Sequence, residues 1–245
     1  MGVGFSSSFD PDTIGYMKRI GLLGGISHES TIMYYALLMQ KYFEKKHDYY
    51  YPEVVIFSLD FQKFTDFERS GDTHGYVEYI LSGIRSLEYA GVDFIAMTAN
   101  SPHAVFPTVS AQARVPMISI VETVATEAQK NGVKRSLLLG IKFTMQSSFY
   151  PDVFTKRGME IIVPQGSDQN EIDQIIFQEL VIGAIRPESK KRVLEIIESY
   201  DTDTVILGCT EIPLLIGIDD TEKKVLNPLA LHVKAILDFS LNEGV

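Results

Sequence analysis

The sequence has a single cysteine, no long hydrophobic run, and fewer basic than acidic residues. Cys209 alone cannot form an intrachain disulfide or a cysteine-cluster metal site, and one thiol fits a reducing compartment. The 22 Lys and Arg residues against 32 Asp and Glu residues give a net charge of −10, which makes nucleic acid a poor candidate partner. The apolar stretches are short and bounded by polar residues, so no membrane span is predicted.

The five histidines are scattered, without the short spacings that metal sites use, so we expect no metal. The amino-terminal residues lack the basic start and the apolar core of a secretory signal. We therefore expect residues 1–17 to be an N-terminal extension outside the fold, and the protein to be cytoplasmic. With 45% hydrophobic residues, a chain of 245 residues suits one large domain or two small ones.

Short apolar runs alternate with longer segments of helical periodicity. The runs that predict strands lie at residues 19–23, 54–59, 94–97 and 116–121. Residues 29–43 and 73–90 predict helices, and a polar turn region is expected between the second strand and the second helix. This alternation predicts an α/β fold with a parallel sheet.

The second half of the chain matches the first in its strand pattern. Residues 135–140, 160–163 and 204–207 correspond to residues 19–24, 53–56 and 94–97 at offsets of 116, 107 and 110 residues. We interpret this as two similar α/β lobes related by duplication. The first lobe is predicted to comprise residues 18–118 and 226–245, including a final helix at 228–241, and the second lobe residues 119–225. The alternative is that any α/β protein has short apolar strands at such intervals.

Ligands of a parallel sheet bind at the carboxyl ends of its strands, so the segments that follow the strands are the candidate sites. Cys209 follows a strand and precedes residues that suit a first helical turn, where backbone N–H groups would lower its pKa. The alternative for Cys209 is a small buried hydrophobic residue. Asn100 and Ser101 occupy the equivalent place in the first lobe, where they form either an anion cradle or an ordinary helix cap.

Several of these segments together resemble the aspartate/glutamate racemase family from about residue 18 to residue 239. They are Gly24-Gly25 with Glu29-Ser30-Thr31, Asn100-Ser101-Pro102-His103, Thr144-Met145 with Phe149-Tyr150, residues 175–180, and Gly208-Cys209-Thr210-Glu211. The resemblance implies two flavodoxin-like lobes with the active site in the cleft between them. It also implies a racemase that needs no cofactor, acts on a small molecule that is an amino acid or a carboxylic acid, and usually forms a homodimer.

In that family two cysteines face each other across the substrate, and one removes the α-proton while the other returns a proton to the opposite face. The second cysteine motif is intact here as Cys209-Thr210-Glu211, whereas Ala99 stands in the place of the first cysteine. The resemblance thus implies Cys209 as the acid/base and Ala99 as a degenerate catalytic position. The substrate-binding residues that it implies are Ser27, Asn100, Ser101, Thr144, Thr210 and Glu211.

Two neighbours of Ala99 are candidates for a second base. Thr98 is adjacent, but strand alternation points it to the opposite face, and its hydroxyl is a weak base. His103 titrates near neutrality and would act through a water, or else brace the loop. Glu211 either holds the substrate ammonium group, tunes Cys209, or interacts with a helix dipole.

The resemblance implies cations for the distal carboxylate of an acidic substrate, and the sequence does not supply them clearly. The first candidate loop contains Lys63 and Arg69 without a clear match, and the second candidate region contains Glu171, Asp173 and Gln174. Either the distal group is bound differently or the substrate is not an acidic amino acid.

The leading hypothesis is an amino-acid racemase or epimerase with weak or one-sided racemisation, since the methyl group of Ala99 transfers no proton. A second hypothesis is a single-cysteine decarboxylase, similar to arylmalonate decarboxylase, which protonates the carbanion left by the loss of carbon dioxide. A third hypothesis is a racemase fold retained as a non-catalytic binding module.

Overall fold

The computed structural model describes residues 16–243, which form two four-stranded parallel sheets flanked by helices. Of the predicted N-terminal extension, residues 1–15 lie outside the described part of the chain. Within the described residues, no helix is both long enough and apolar enough to cross a membrane.

The first sheet has the strand order β2-β1-β3-β4, and its neighbouring strands pair in parallel. The elements of this half are β1 (Ile20–Gly24), α1 (His28–Lys46), β2 (Val54–Ser58), α2 (Phe61–Ser70), α3 (Thr73–Tyr89), β3 (Phe94–Met97), a 3₁₀ turn (Ser101–Val105), α4 (Phe106–Ser110), β4 (Met117–Ile118) and α5 (Ile120–Lys130).

The second sheet repeats this topology with the order β6-β5-β7-β8. The elements in this part of the chain are β5 (Arg135–Leu139), α6 (Lys142–Gln146), α7 (Phe149–Lys156), β6 (Glu160–Ile162), α8 (Ser167–Gln178), α9 (Pro187–Ser199), β7 (Thr204–Leu207) and β8 (Lys224–Leu226), and the final helix α10 (Pro228–Ser240) follows them. The prediction of an α/β fold with two similar lobes is confirmed.

The central strands are buried on both faces, which explains why they are continuous apolar runs. All five residues of β1 are buried, and alternate residues enter different cores. Leu22 packs with residues of α1 and α10, whereas Leu23 packs with residues of α3. The final helix therefore covers one face of the first sheet.

Two details of the predicted secondary structure are wrong. The fourth strand contains only Met117–Ile118, because the Ser119 side chain accepts a hydrogen bond from the Glu122 backbone and begins α5. The polar turn region after the second strand contains α2, which Asp60 caps through the Lys63 backbone N–H. Many of its residues are polar because only a narrow stripe of the helix is buried.

The turn after β1 positions the start of α1. Gly25 has a φ angle of 80°, and a Cβ atom there would lie 2.2 Å from the backbone oxygen of Leu59. Ser27 has a φ angle of 75°, which a residue with a Cβ atom rarely adopts, and its side chain caps α1 through the Ser30 backbone N–H. The backbone strain is therefore located at the carboxyl end of β1.

Two buried histidines connect the two halves of the chain. The hydroxyl of Tyr34 lies 2.9 Å from Nδ1 of His232, and Nε2 of His232 lies 3.0 Å from the Ile118 backbone oxygen. Nε2 of His103 accepts the backbone N–H of Ile120, so Nδ1 carries the proton. Burial lowers the pKa of His103 to about 3, with a further contribution from His232, and lowers that of His232 to about 4.

These two histidines should make the fold sensitive to acid. Both pKa values lie below the ordinary value of 6.5, so the unfolded chain takes up protons first as the pH falls. Their contribution to stability is complete above pH 6.5 and is lost as the pH falls toward 4. We expect the free energy of unfolding to fall by about 2 kcal/mol per histidine between pH 6.5 and pH 5, measured by urea denaturation.

The matched control replaces an exposed histidine. His232→Gln should reduce the dependence of stability on pH, whereas His74→Gln should leave it unchanged because His74 is exposed. An equal pH dependence in the two variants would contradict the assignment.

Candidate active site

A cavity lies between the two lobes at the carboxyl ends of the strands. It contains about 540 Å³ of empty space including its open mouth. Its walls are the segments that follow β1, β3, β5 and β7, together with one face of α2 and the carboxyl-terminal part of α8. The eight residues that the resemblance assigns to the catalytic and substrate-binding positions all line it: Ser27, Ala99, Asn100, Ser101, Thr144, Cys209, Thr210 and Glu211.

The Glu211 carboxylate is the centre of the polar contacts in this cavity. Its Oε2 atom accepts hydrogen bonds from the Cys209 thiol and from the Thr210 hydroxyl, both at 2.9 Å. Its Oε1 atom accepts a hydrogen bond from the Ser27 hydroxyl at 2.8 Å, across the cleft. Glu211 is only 3% exposed, so this carboxylate is withdrawn from water and held by three donors.

The predicted low pKa of Cys209 is wrong. Burial raises the pKa of this thiol well above its usual range, and the charge of Glu211 and the hydrogen bond to it raise it further. The residues after Cys209 form only a short 3₁₀ turn, Ile212–Leu214, so the thiol is not at the start of an α-helix. Cys209 is therefore held as a thiol next to a carboxylate that can accept its proton.

Two polar groups of the cavity wall have no hydrogen-bond partner among the described residues. The Nδ2 atom of Asn100 and the Oγ1 atom of Thr144 are both buried and unpaired, and their residues are 5% and 1% exposed. The buried hydroxyl of Tyr150 donates to Oδ1 of Asn100 at 2.8 Å, which orients the amide and leaves Nδ2 available. Buried polar groups are normally paired, so these two atoms fit a ligand that supplies acceptors.

The candidates for a second base lie outside the cavity lining. Thr98 is fully buried, and its hydroxyl contacts the Leu23 backbone oxygen and the Thr31 hydroxyl. Nδ1 of His103 donates to the Ala99 backbone oxygen at 3.0 Å, and its ring stacks on Phe106. His103 therefore braces the loop that carries Ala99.

The charged residues considered for the distal carboxylate are also outside the lining. Lys63 lies over the ring of Tyr79, and Arg69 is exposed on α2. Glu171 pairs with Arg192 at 2.9 Å, and Asp173 accepts the backbone N–H of Lys142 at the start of α6. Gln174 does not line the cavity, so none of the five residues named from the sequence reaches it.

Glu68 lines the cavity, and reasoning from the sequence missed it because α2 was predicted to be a turn. Its signal is the spacing of Phe61, Phe64, Thr65 and Glu68, which places all four residues on one helical face. The hydroxyl of Tyr76 lies 3.4 Å from Oε1 of Glu68. Burial raises the pKa of Glu68, against smaller lowering effects of hydrogen bonds from Ser101 and Tyr76 and of the Arg69 charge.

No group of three or more His, Cys, Asp or Glu side chains within residues 16–243 is placed to hold a metal ion. The polar groups of the cavity are instead hydroxyls, an amide, a thiol and carboxylates. This set can bind a carboxylate and move a proton.

The sequence profile of the Asp/Glu/hydantoin racemase family matches residues 23–236 of this chain. The chain belongs to this family. The resemblance seen in the motifs is thus confirmed, and the two-lobed architecture is that of family members of known structure.

Proteins named as racemases or racemase homologues are similar to this chain over nearly its whole length. The broad-specificity amino-acid racemase RacX of Bacillus subtilis is 26% identical over 225 residues, which span 88% of this chain and 95% of RacX. The aspartate racemase homologue of Pyrococcus horikoshii is 36% identical with a TM-score of 0.82, covering 92% of this chain and 100% of that one. The aspartate racemase of Picrophilus torridus has a TM-score of 0.75 and 20% identity, covering 91% of this chain and 94% of that one. At this low identity, the likeness shows the fold alone.

The contact between Glu211 and Cys209 can be tested through the thiol. Glu211→Gln removes the negative charge beside Sγ, so we expect the pKa of Cys209 to fall. The pH dependence of alkylation by iodoacetamide measures this pKa. Thr210→Val is the control, because it removes a neutral donor and keeps the charge; an equal shift in both variants, or none in Glu211→Gln, would contradict the assignment.

Proposed function

We propose that this chain is a cofactor-independent amino-acid racemase or epimerase in which Cys209 exchanges the α-proton on one face of the substrate. The observation that carries the proposal is the position of Cys209, whose thiol lines the cavity between the lobes and donates to the buried Glu211 carboxylate. Membership of the racemase family and the named activity of RacX support it.

The α-carboxylate of the substrate is assigned to the unpaired donors of the cavity. Asn100 Nδ2 and Thr144 Oγ1 come from different lobes, and the Ser101 hydroxyl lies in the same wall as Asn100. Negative charge grows on the α-carboxylate when the Cα–H bond breaks, and preorganised donors stabilise it. Tyr150 keeps the Asn100 amide in the required orientation.

The proton transfer begins from the hydrogen bond between Cys209 and Glu211. The thiol proton moves to the Glu211 carboxylate, and the resulting thiolate takes the α-proton. A new S–H bond forms, the Cα–H bond breaks, and its electron pair passes into the α-carboxylate group. Because burial and Glu211 hold the pKa of Cys209 high, the thiolate is a strong base but is scarcely populated near neutrality.

Ala99 makes this chemistry one-sided. In the described structure its methyl group lines the cavity, and neither Thr98 nor His103 does. The S–H proton is replaced by one from solvent, and Cys209 then returns that proton to the same face, so that exchange proceeds with retention of configuration. Full racemisation is slow in this proposal.

The same single thiol also suits the decarboxylation of a substituted malonate, in which one cysteine protonates the carbanion. Release of carbon dioxide from such malonates without α-proton exchange on any amino acid would replace the racemase proposal. Binding of an amino acid without either reaction would favour the non-catalytic binding module.

Three further features belong to the proposal. We place the protein in the cytoplasm, in keeping with its unpaired thiol, and we propose a homodimer. The lobe boundaries remain those proposed from the sequence, with residues 18–118 and 226–245 in the first lobe and residues 119–225 in the second.

The loss of Cys209 tests the proposal directly. In deuterated buffer with a panel of amino acids, we expect Cys209→Ala to reduce α-proton exchange at least about 100-fold, the usual contribution of an acid/base. Because the thiol proton passes to Glu211 and none is lost to solvent, the wild-type rate should stay nearly constant from neutral pH up to the ordinary thiol pKa of 9.0. NMR of the α-proton measures both, and unchanged exchange in a folded Cys209→Ala variant would refute the proposal.

Restoring the missing thiol should restore inversion. Ala99→Cys places a second acid/base on the opposite wall, so we expect racemisation, measured by chiral chromatography, to rise at least about 10-fold relative to exchange. Ala99→Ser is the matched control, because it has nearly the same size with a weakly acidic hydroxyl. No gain in a folded Ala99→Cys variant would count against the assigned position.

A further inference from the structure

The charged residues of the cavity are unusual for a site expected to take an acidic amino acid. Only Glu68 and Glu211 carry charge among the described residues that line it, and no lysine, arginine or histidine does. A second carboxylate on the substrate would face negative charge without a compensating cation. The cavity therefore disfavours aspartate and glutamate.

The two carboxylates differ in how well they are compensated. Glu211 accepts three hydrogen bonds at 2.8–2.9 Å, which leaves it little capacity for a further partner. Glu68 accepts one long hydrogen bond, of 3.4 Å from the Tyr76 hydroxyl, and Ser101 lies in the same cavity wall. Burial still raises the pKa of Glu68, as expected for a carboxylate without a full complement of partners. A cation at Glu68 would supply the missing compensation.

The surroundings of Glu68 suit an aliphatic chain that ends in a cation. Phe61 and Phe64 share its helical face on α2, and α8 adds Ile176 and Phe177 to the same cavity. These side chains can contact methylene groups, while a terminal ammonium or guanidinium group pairs with the carboxylate. Independent evidence for a ligand comes from the unpaired Asn100 and Thr144 atoms, which are assigned to the other end of the substrate.

We propose that Glu68 is the specificity-determining residue of this site, and that it pairs with the distal cation of a basic amino acid such as lysine, ornithine or arginine. This rests on the proposed function, because it takes the cavity as the amino-acid site. The charge of Glu68 selects the side chain, and Cys209 acts on the α-carbon.

The test compares lysine with norleucine, which has the same carbon chain without the terminal ammonium group. With α-proton exchange in deuterated buffer as the assay, wild-type kcat/KM should be at least about 10-fold higher for lysine than for norleucine, and lowest for glutamate. Glu68→Gln should lower kcat/KM for lysine to the value for norleucine, and kcat/KM for norleucine should stay within about twofold of the wild-type value. The retained activity toward norleucine also shows that the variant is folded. Glu68→Lys should invert the preference toward glutamate.

Glu171→Gln is the matched control, since this carboxylate pairs with Arg192 on the outer side of α8 and does not line the cavity. It should leave the ratio of lysine to norleucine unchanged. Faster wild-type exchange of glutamate than of lysine would overturn the proposal. An unchanged ratio in Glu68→Gln, or an equal loss for lysine and norleucine, would also overturn it.

Failure of the proposed function is distinguishable from failure of this specificity. If no amino acid exchanges its α-proton, the racemase proposal fails, and calorimetric titration of lysine and norleucine then tests Glu68 alone. Preferential binding of lysine that Glu68→Gln abolishes would support the role of Glu68 without any catalysis. Equal binding of the two amino acids, or binding of neither, would overturn it.

Discussion

The site depends on one buried carboxylate that three hydroxyl and thiol donors hold in place. Glu211 contacts Cys209 and Thr210 in its own lobe and Ser27 in the other, so a single side chain both connects the lobes and touches the thiol. A second contact crosses the cleft in the opposite sense, from Tyr150 to Asn100. The arrangement needs both lobes packed together, because neither lobe alone supplies the donors and the acceptors.

This constraint explains the chemistry that we assign to Cys209. A thiol beside a carboxylate and away from water is a weak acid, and its thiolate is correspondingly a strong base for an α-proton. The family resemblance implies a pair of such groups, whereas this chain has Ala99 in the place of the first cysteine. The likeness to racemases thus supports binding and proton removal more directly than it supports inversion. For the side chain of the substrate, the resemblance implies an acidic group, whereas the charges of the cavity disfavour one.

Most of the fold could be predicted from the sequence because strands of a parallel sheet are buried on both faces and appear as apolar runs. The helix α2 could not be predicted, because most of its residues are polar and its buried face is narrow. The helical spacing of Phe61, Phe64 and Glu68 is therefore a weak signal. The cavity residues that follow β1, β3, β5 and β7 could be predicted from their position after strands, whereas Glu68 on α2 could not. The pKa of Cys209 could not, because it depends on burial and on a carboxylate two residues away that turns back onto the thiol. The pattern of strands in the sequence indicates which loops line the cavity. Which charged side chains lie next to each other there depends on tertiary packing.

The central claim is that one thiol works on one face of the substrate. The most direct measurement follows a single enantiomer in deuterated buffer and determines its α-deuterium content and its configuration in the same sample. The account predicts that the unsubstituted protein incorporates deuterium much faster than it inverts the α-carbon. Inversion at the rate of deuterium incorporation would require a second acid/base opposite Cys209 and would contradict the account.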